Sequence, residues 1–503
     1  MGHKFTRRDL EALLQGAMGK TFEEVDVRGL IDRYMEANPN KVVKGVPGDI
    51  IEQSVLGLPK DSLQKADLII DGAPTELKTT GVYRRENGRK VEYVAKERLT
   101  ITTINYSGIA NESFENSHLW EKINKILLVF YQYGDSKASS TADYKNFVYL
   151  LYSYMKFSKE EIDNIKADWE RVKNFFASEY GINVINELKG GNLTDRRRRE
   201  LRKILSDSLN GLGYLEVSPK FPRARLAIKN SYFKEKTAEI FNQKKYSARL
   251  NDISSYDDLI AKISSSVAPY SGKTLGEIAE EASFRGQEEA ARSIGKASTS
   301  HILGYILTGK YVKAGLIEQI AKSGFVAKTV TVKPGGYKKE DMKLTPVVFS
   351  EFSDGTAFED SSFYNFIFGN RFLCGVFERA PGGALRDRSK DIFVGVKIIE
   401  FSDAIFEESA RSTWDKVSWM YLNNEIKSFP ELRKNGEFII NRNGQKKMGT
   451  NLPKSSEYEF FLRGTGTDSS RKSHIINGYA MYHQDYWVRG SLVVDLLNKV
   501  DFI

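Results

Sequence analysis

Cysteine is almost missing from this 503-residue chain: Cys374 is its one example, so no intramolecular disulfide can form, as expected in a reducing cytoplasm. Histidine is nearly as scarce, and none of the five has the spacing of a zinc site. No stretch approaches the roughly 20 apolar residues of a membrane span. The opening MGHKFTRRDLEALLQG lacks the unbroken apolar core of a secretion signal. GGNL and PGGY are turns, and neither leads into the lysine-bearing helix of a nucleotide-binding loop. These absences set aside secreted, membrane-spanning, zinc-clustered and P-loop proteins and lead us to expect a soluble cytoplasmic protein.

What is present begins with size and charge. Single cores rarely grow past about 250–300 residues, so this length predicts more than one domain. Hydrophobic residues make up 41%, enough for ordinary cores, and the net charge of +9 suits a polyanionic partner without requiring one.

The chain resembles itself. Gly19–Val25 reads GKTFEEV and Gly272–Ile278 reads GKTLGEI; Leu77-Lys78-Thr79-Thr80 has a partner in Ala327-Lys328-Thr329-Val330. RLTITTINY (98–106) parallels KLTPVVFSEF (343–352), and Phe157-Ser158 with Trp169 parallels Phe401-Ser402 with Trp414. Ser231-Tyr232-Phe233 pairs with Asp485-Tyr486-Trp487. Common order at an offset of roughly 250 residues predicts two diverged copies of one α/β domain, a mixed sheet flanked by helices. The expected boundaries are 1–235, a linker at 236–265, and 266–503. Ser158 and Glu161 have the spacing of a capping box opening a helix.

The segment richest in chemistry is ADLIIDGAPTELKTTG, 66–81. Two β-branched runs flank Asp71-Gly72-Ala73-Pro74, which predicts a hairpin. With those four residues as the turn, Asp67 lies across from Lys78 and diagonal to Glu76. Alternation then puts Asp67, Glu76 and Lys78 on one face. Two carboxylates and an ammonium on rigid strands suit metal-assisted phosphodiester hydrolysis. The carboxylates bind a hard cation such as Mg²⁺, and the lysine orients water and neutralises developing charge. Taken alone, the pattern fits a solvated salt-bridged hairpin as well, and Asp71 has the same parity as Asp67.

GVPGDIIEQSVLG (45–57) followed by ADLIIDGAPTELKTTGV resembles the MutH-type endonucleases, a family that includes a methyl-directed mismatch-repair nicking enzyme and type II restriction endonucleases cutting at GATC. The resemblance implies a restriction-endonuclease-like fold. It carries the helix glutamate onto Glu52 and the catalytic and metal-binding trio onto Asp67, Glu76 and Lys78. The Leu77 carbonyl would be a further metal ligand. Asp71 is the alternative to Asp67, because the gap to the glutamate is slightly long for the family, although its place in the turn favours Asp67. ENSHLWEKINKILLVFY (115–131) resembles the family's lysine-bearing helix and implies Lys122. YLEVSPKFPRAR (214–225) resembles its groove-entering strand and loop, implying Lys220, Arg223 and Arg225 as DNA contacts. The corresponding EFFLRGTGTDSSRK (459–472) offers Arg463 and Arg471. The second copy keeps Lys328 but has Val326 for Glu76 and Gly304 for Glu52, with no clear counterpart of Asp67.

The resemblance therefore implies a Mg²⁺-dependent type II restriction endonuclease with a cutting first domain. Its second domain would bind another copy of the site as effector. Duplex DNA, a second protomer on DNA and a cognate methyltransferase are the expected partners. The alternatives are a repair nicking enzyme, which the doubled architecture disfavours, and a non-catalytic sequence-specific DNA-binding protein. The basic run TDRRRRELRK, with Thr194 as N-cap, reads as a solvated helix face.

Overall fold

The computed structural model describes residues 3–503 apart from 39–42, 44, 60–66, 88–89, 107, 134–140, 190–192, 210, 219–223, 244–245, 288–293, 334–340, 354, 382–386, 434, 442, 467–471 and 473. Two compact units result: Met1–Ile263 with Leu316–Gly324, and Ser264–Gly315 with Phe325–Ile503.

The first unit contains β1 (His3–Phe5), β2 (Leu68–Ile70), β3 (Ala73–Asn87), β4 (Lys90–Ala95), β5 (Leu99–Thr103), β6 (Ile126–Tyr133), β7 (Val148–Met155), β8 (Leu215–Ser218) and β9 (Arg225–Ile228). The main sheet runs β1-β2-β3-β6-β7, with β4 folded onto the outer half of β3. It is mixed: β1 with β2 and β3 with β6 are parallel, and the other neighbours are antiparallel. The parallel pairing of β3 with β6 needs a crossover, which carries β5 and the short helix His118–Ile123. A second sheet, β5-β9-β8, is antiparallel.

Alternation along the strands gives the main sheet two apolar faces. Leu68, Ile70, Leu77, Leu127 and Val129 pack with the N-terminal helices, including Arg7–Ala17. Ile126, Leu128 and Phe130 pack on the other side with the helix Lys159–Ala177. That helix opens with the expected capping box between Ser158 and Glu161.

The hairpin is tighter than the sequence suggests. Ile70 pairs with Ala73, leaving Asp71 and Gly72 alone in the turn. Both have positive φ, 47° and 82°, the backbone of a two-residue turn whose twist matches the strands. The register moves by two residues, so its extension opposes Asp67 to Glu76 and not to Lys78. Because the side-chain period is two, the shared face survives the shift.

The second unit repeats the scaffold. β10 (Phe325–Val332) pairs in parallel with β12 (Arg371–Glu378), which pairs antiparallel with β13 (Ile392–Ile399), as β3, β6 and β7 do. β11 (Met342–Pro346), β19 (His483–Val488) and β16 (Phe460–Thr465) form the counterpart of β5-β9-β8, with the small antiparallel pair β17 (His474–Ile476) and β18 (Tyr479–Met481) between β16 and β19 in the chain. The helix Ala404–Leu422 matches Lys159–Ala177 at 19 residues each. Both GKT segments form capping boxes, Thr21 with Glu24 and Thr274 with Glu277, and each bonds to the edge of its sheet: Gly19 N–H to the Tyr149 carbonyl, Gly272 N–H to the Phe393 carbonyl. One expected equivalence fails. Tyr232 lies in the helix Asn230–Ile240, whereas Tyr486 lies in β19.

The expected joint at 236–265 is folded. Lys236 and Thr237 are buried in a helix, and Ala248, Leu250, Ile253, Leu259 and Ile263 are buried beyond it. Residues 316–324, which lead directly into β10, belong to the first unit, where Lys322 meets Glu161 and Glu239, each at 2.8 Å. No helix among the described residues is long and apolar enough to cross a membrane.

Candidate active site

Glu76 is the centre of the candidate site. It sits near the start of β3 on the face shared with Ile126 and Leu128, and it is 1% exposed. Its N–H donates to the Lys125 carbonyl at 2.9 Å, which fixes β3 against the end of the His118–Ile123 segment. A buried carboxylate requires partners. Oε1 receives two ammonium groups, Lys78 Nζ at 2.6 Å and Lys122 Nζ at 2.9 Å. Oε2 is buried and has no hydrogen-bond partner.

Lys78 reaches Glu76 because residues two apart on a strand share a face. Lys122 comes from the helix above, which Ser117 caps by accepting the Trp120 N–H. Asp67 immediately precedes β2 and accepts the Leu77 N–H at 3.0 Å through Oδ2. Burial, followed by the neighbouring Glu76 charge, raises the Asp67 carboxyl above its usual range, against the pull of Lys78, the Leu77 N–H and Lys122. The crowded pair and the orphaned oxygen fit a divalent cation held by one or two carboxylates and its own waters, the coordination Mg²⁺ accepts. Among the described residues no set of three or more acidic, histidine or cysteine side chains is arranged to hold a metal. Glu52 lies partly buried in the helical stretch Ile50–Val55 and does not complete such a group with Asp67 and Glu76. Asp71 stands in the turn, where it accepts the Arg7 N–H at 3.1 Å.

The strand ladders show what the second unit has in this position. β6 begins Ile126↔Met155 and β12 has Phe372↔Ile399, with Met155 and Ile399 each ending the strand before the long helix. Ile126 and Phe372 are therefore equivalent. Glu76 pairs with Ile126 and Val326 with Phe372; Lys78 pairs with Leu128 and Lys328 with Cys374. Counting five residues from the N-cap serines Ser117 and Ser361 reaches Lys122 in one copy and Phe366 in the other. Lys328 Nζ donates to the Lys343 carbonyl at 2.6 Å and lies 6.0 Å from the centre of the Phe366 ring. Glu76 and Lys122 have thus been replaced together, by Val326 and Phe366.

Of the expected DNA contacts, Arg225 is exposed at the start of β9, opposite Thr103 and Ser218. Arg463 lies on β16 and is ion-paired with Asp341 at 2.8 Å. Lys220, Arg223 and Arg471 lie outside the described residues. The basic run forms the helix Asp195–Ser208 with Thr194 as its N-cap, and Arg197 is held by Glu187 and Glu200, as a solvated face predicts.

One positioning residue escapes the sequence reading. Asp168 is buried and accepts the N–H groups of Gly213, Tyr214 and Leu215 at 3.0, 2.7 and 2.9 Å, tying the long helix to the start of β8. Burial raises its carboxyl and the three N–H bonds oppose that shift. Thr413, one residue before Trp414 as Asp168 is before Trp169, donates its hydroxyl to the Phe460 carbonyl at the start of β16. The available signal was Glu161, Asn164 and Asp168 recurring on the inner face of an otherwise apolar helical stripe.

A family model described as the DNA mismatch repair enzyme MutH matches residues 56–168, which span Asp67, Glu76, Lys78 and Lys122. A curated relative, the type II restriction enzyme Sau3AI of Staphylococcus aureus, is 27% identical over 393 residues, covering 75% of this chain and 73% of that enzyme. With the mixed sheet, its hairpin carboxylates and the doubled scaffold, these matches mark the chain as a site-specific DNA endonuclease that is similar to the MutH-type and type II restriction enzymes.

Proposed function

We propose that the chain hydrolyses duplex DNA at GATC sites with Mg²⁺, the first unit cutting and the second binding a further copy of the site as effector. The observation that carries the cutting site is Glu76: a fully buried carboxylate with one oxygen held by two lysines and the other orphaned, next to an Asp67 that resists ionisation. Asp67 and Glu76 would hold the cation, which supplies Lewis acidity and a more acidic water when bound.

The remaining work falls to the chain's own groups. Lys122 anchors Glu76 Oε1 from the helix, so the carboxylate keeps one orientation. Lys78, the more exposed of the two lysines at 27%, can turn toward solvent to orient the attacking water. Both ammonium groups face the charge that develops on the phosphorane. Water oxygen bonds to phosphorus as the bond to the 3′ oxygen breaks, leaving a 5′-phosphate and, after protonation, a 3′-hydroxyl.

The effector reading rests on a second scaffold that keeps the counterparts of β3, β6 and β7, the second sheet and the long helix but has Val326 and Phe366 where the first has Glu76 and Lys122. Double-strand cutting by one active site calls for a second protomer or for sequential nicking, and host protection calls for a methyltransferase.

The test is digestion of a sequenced plasmid with Mg²⁺, with fragment ends mapped, on substrates carrying one or several GATC sites. Ends at GATC and faster cutting of the many-site plasmid are expected. Ends elsewhere would overturn the specificity, and equal rates on both plasmids would remove the effector.

A further inference from the structure

The two units carry different elements between the long helix and the second sheet. In the first unit that interval holds the helices Glu179–Lys189 and Asp195–Ser208. In the second it holds a small β-projection, β14 (Ser428–Pro430) pairing antiparallel with β15 (Met448–Thr450). Between them the chain doubles back twice, through bridges Leu432↔Phe438 and Ile440↔Lys446. Glu431, Ile439 and Lys447 cross-bond at its centre: the Glu431 N–H donates to the Lys447 carbonyl, Lys447 to Ile439, and Ile439 to Glu431. Gly436 and Gly444 take φ of 85° and 78° in the two reversals, where a side chain would be strained.

Two properties of this element call for a partner. It exposes large apolar side chains: Phe429 at 41%, Leu432 at 55%, Phe438 at 43% and Ile440 at 50%. Soluble surfaces rarely gather so many without using them. It also concentrates charge. Residues 427–454 contain seven Lys or Arg and two Glu, a net +5, where all 503 residues carry +9. Lys434 and Arg442 lie outside the described residues and enter that count from the sequence alone. Cations and rings alternate in space: Lys446 Nζ lies 3.7 Å from the centre of the exposed Phe438 ring, and Lys454 Nζ 5.9 Å from that of Phe429.

We propose that this projection is a DNA-binding arm, with duplex DNA as its occupant, its lysines and arginines on phosphates and its apolar side chains against sugars or base edges. A β-ribbon is narrow enough to enter a major groove about 12 Å wide. A phosphate polyanion matches the net +5, whereas an apolar protein partner would leave those charges desolvated. The arm lies immediately before β16, the strand whose partner in the first unit, β8, leads into the basic loop expected to touch DNA. The proposal goes beyond the effector reading by naming a contact surface that the first unit lacks at this position, and it rests on the second unit engaging DNA.

The test uses full-length protein in a Glu76→Gln background, so that DNA survives. Binding to a 5′-fluorescein duplex is measured by anisotropy between 50 and 200 mM salt, for the parent and for Arg433→Gln/Lys446→Gln/Lys447→Gln. Each lost phosphate contact lowers the slope of log K against log salt by about 0.9, so a fall of about 2–3 is expected, with binding weakened on the order of tenfold on GATC and non-GATC duplexes alike. Because Lys447 pairs with Glu431 at 2.7 Å, a second probe avoids disturbing the fold: a photocrosslinking benzoylphenylalanine at Phe438 should label DNA. An unchanged slope together with crosslinks to protein or to nothing would overturn the arm. Equal cutting of one-site and many-site plasmids would sink the effector reading and leave the slope result standing.

Discussion

Replacing Glu76 by glutamine should drive cutting and binding in opposite directions. The substitution keeps the shape and one acceptor oxygen but removes the charge that two ammonium groups share at 2.6 and 2.9 Å. Lys78 and Lys122 are then left with Asp67 as the carboxylate acting on both, and the cation loses a ligand. Losing preorganised charge stabilisation at one position costs on the order of 10²–10³ in rate. Losing the metal ligand as well should take single-turnover cleavage down by at least about 10³, roughly 4 kcal/mol of barrier. Binding should go the other way. One negative charge removed about 4 Å from a phosphate is worth about 1 kcal/mol in water and about 4 kcal/mol at an effective dielectric of 20. In EDTA the variant should therefore bind a GATC duplex at least several-fold more tightly than the wild type. The assays are rapid-quench cleavage with Mg²⁺ and anisotropy in EDTA, with circular dichroism to confirm the fold. Cleavage within tenfold of wild type, or a parallel loss of cleavage and binding in a folded variant, would refute the placement of the site.

Two further predictions follow from the carboxylates. Asp67 is raised above its unfolded value by burial and by Glu76, so the folded state binds the extra proton, and stability contributed by the protonated form is lost as pH rises above about 4. Asp67→Asn should be inactive yet, in EDTA at neutral pH, more stable by on the order of 1 kcal/mol, and Mg²⁺ should raise the melting temperature of the wild type alone; a less stable variant in EDTA would contradict this. Asp168→Asn confronts three inward N–H donors with an amide. Each charge-assisted bond is worth about 1.5–3 kcal/mol, so the change should destabilise the first unit by a few kcal/mol and weaken DNA binding more than single-turnover cleavage at saturating DNA; equal effects on both would remove its role in placing β8.

Sequence alone carried far because the site is local. The Asp71-Gly72-Ala73-Pro74 turn signal, the β-branched flanks and the period of two put Asp67, Glu76 and Lys78 on one face in any register that differs by an even number of residues, and the structure changed that register by two without moving a side chain to the other face. The repeat was legible through short strings in common order, two of which, GKTFEEV and GKTLGEI, form capping boxes in the structure. Matching short strings failed where strand and helix boundaries had drifted, as with Tyr232 and Tyr486.

What tertiary structure decided was long-range. The ion pair of Lys122 with Glu76 spans 46 residues and depends on a crossover that lays β6 parallel to β3. Val326 in place of Glu76 was legible in the sequence and the strand ladders agree with it, whereas Phe366 in place of Lys122 emerges only when the capping serines Ser117 and Ser361 are matched. The assignment of 316–324 to the first unit and the three-way crossing at Glu431, Ile439 and Lys447 are of the same kind. Local composition and alternation dictate which face a side chain takes. Which distant faces then meet is decided by burial and backbone pairing across the whole chain, and that is what leaves Glu76 with one oxygen held and one free.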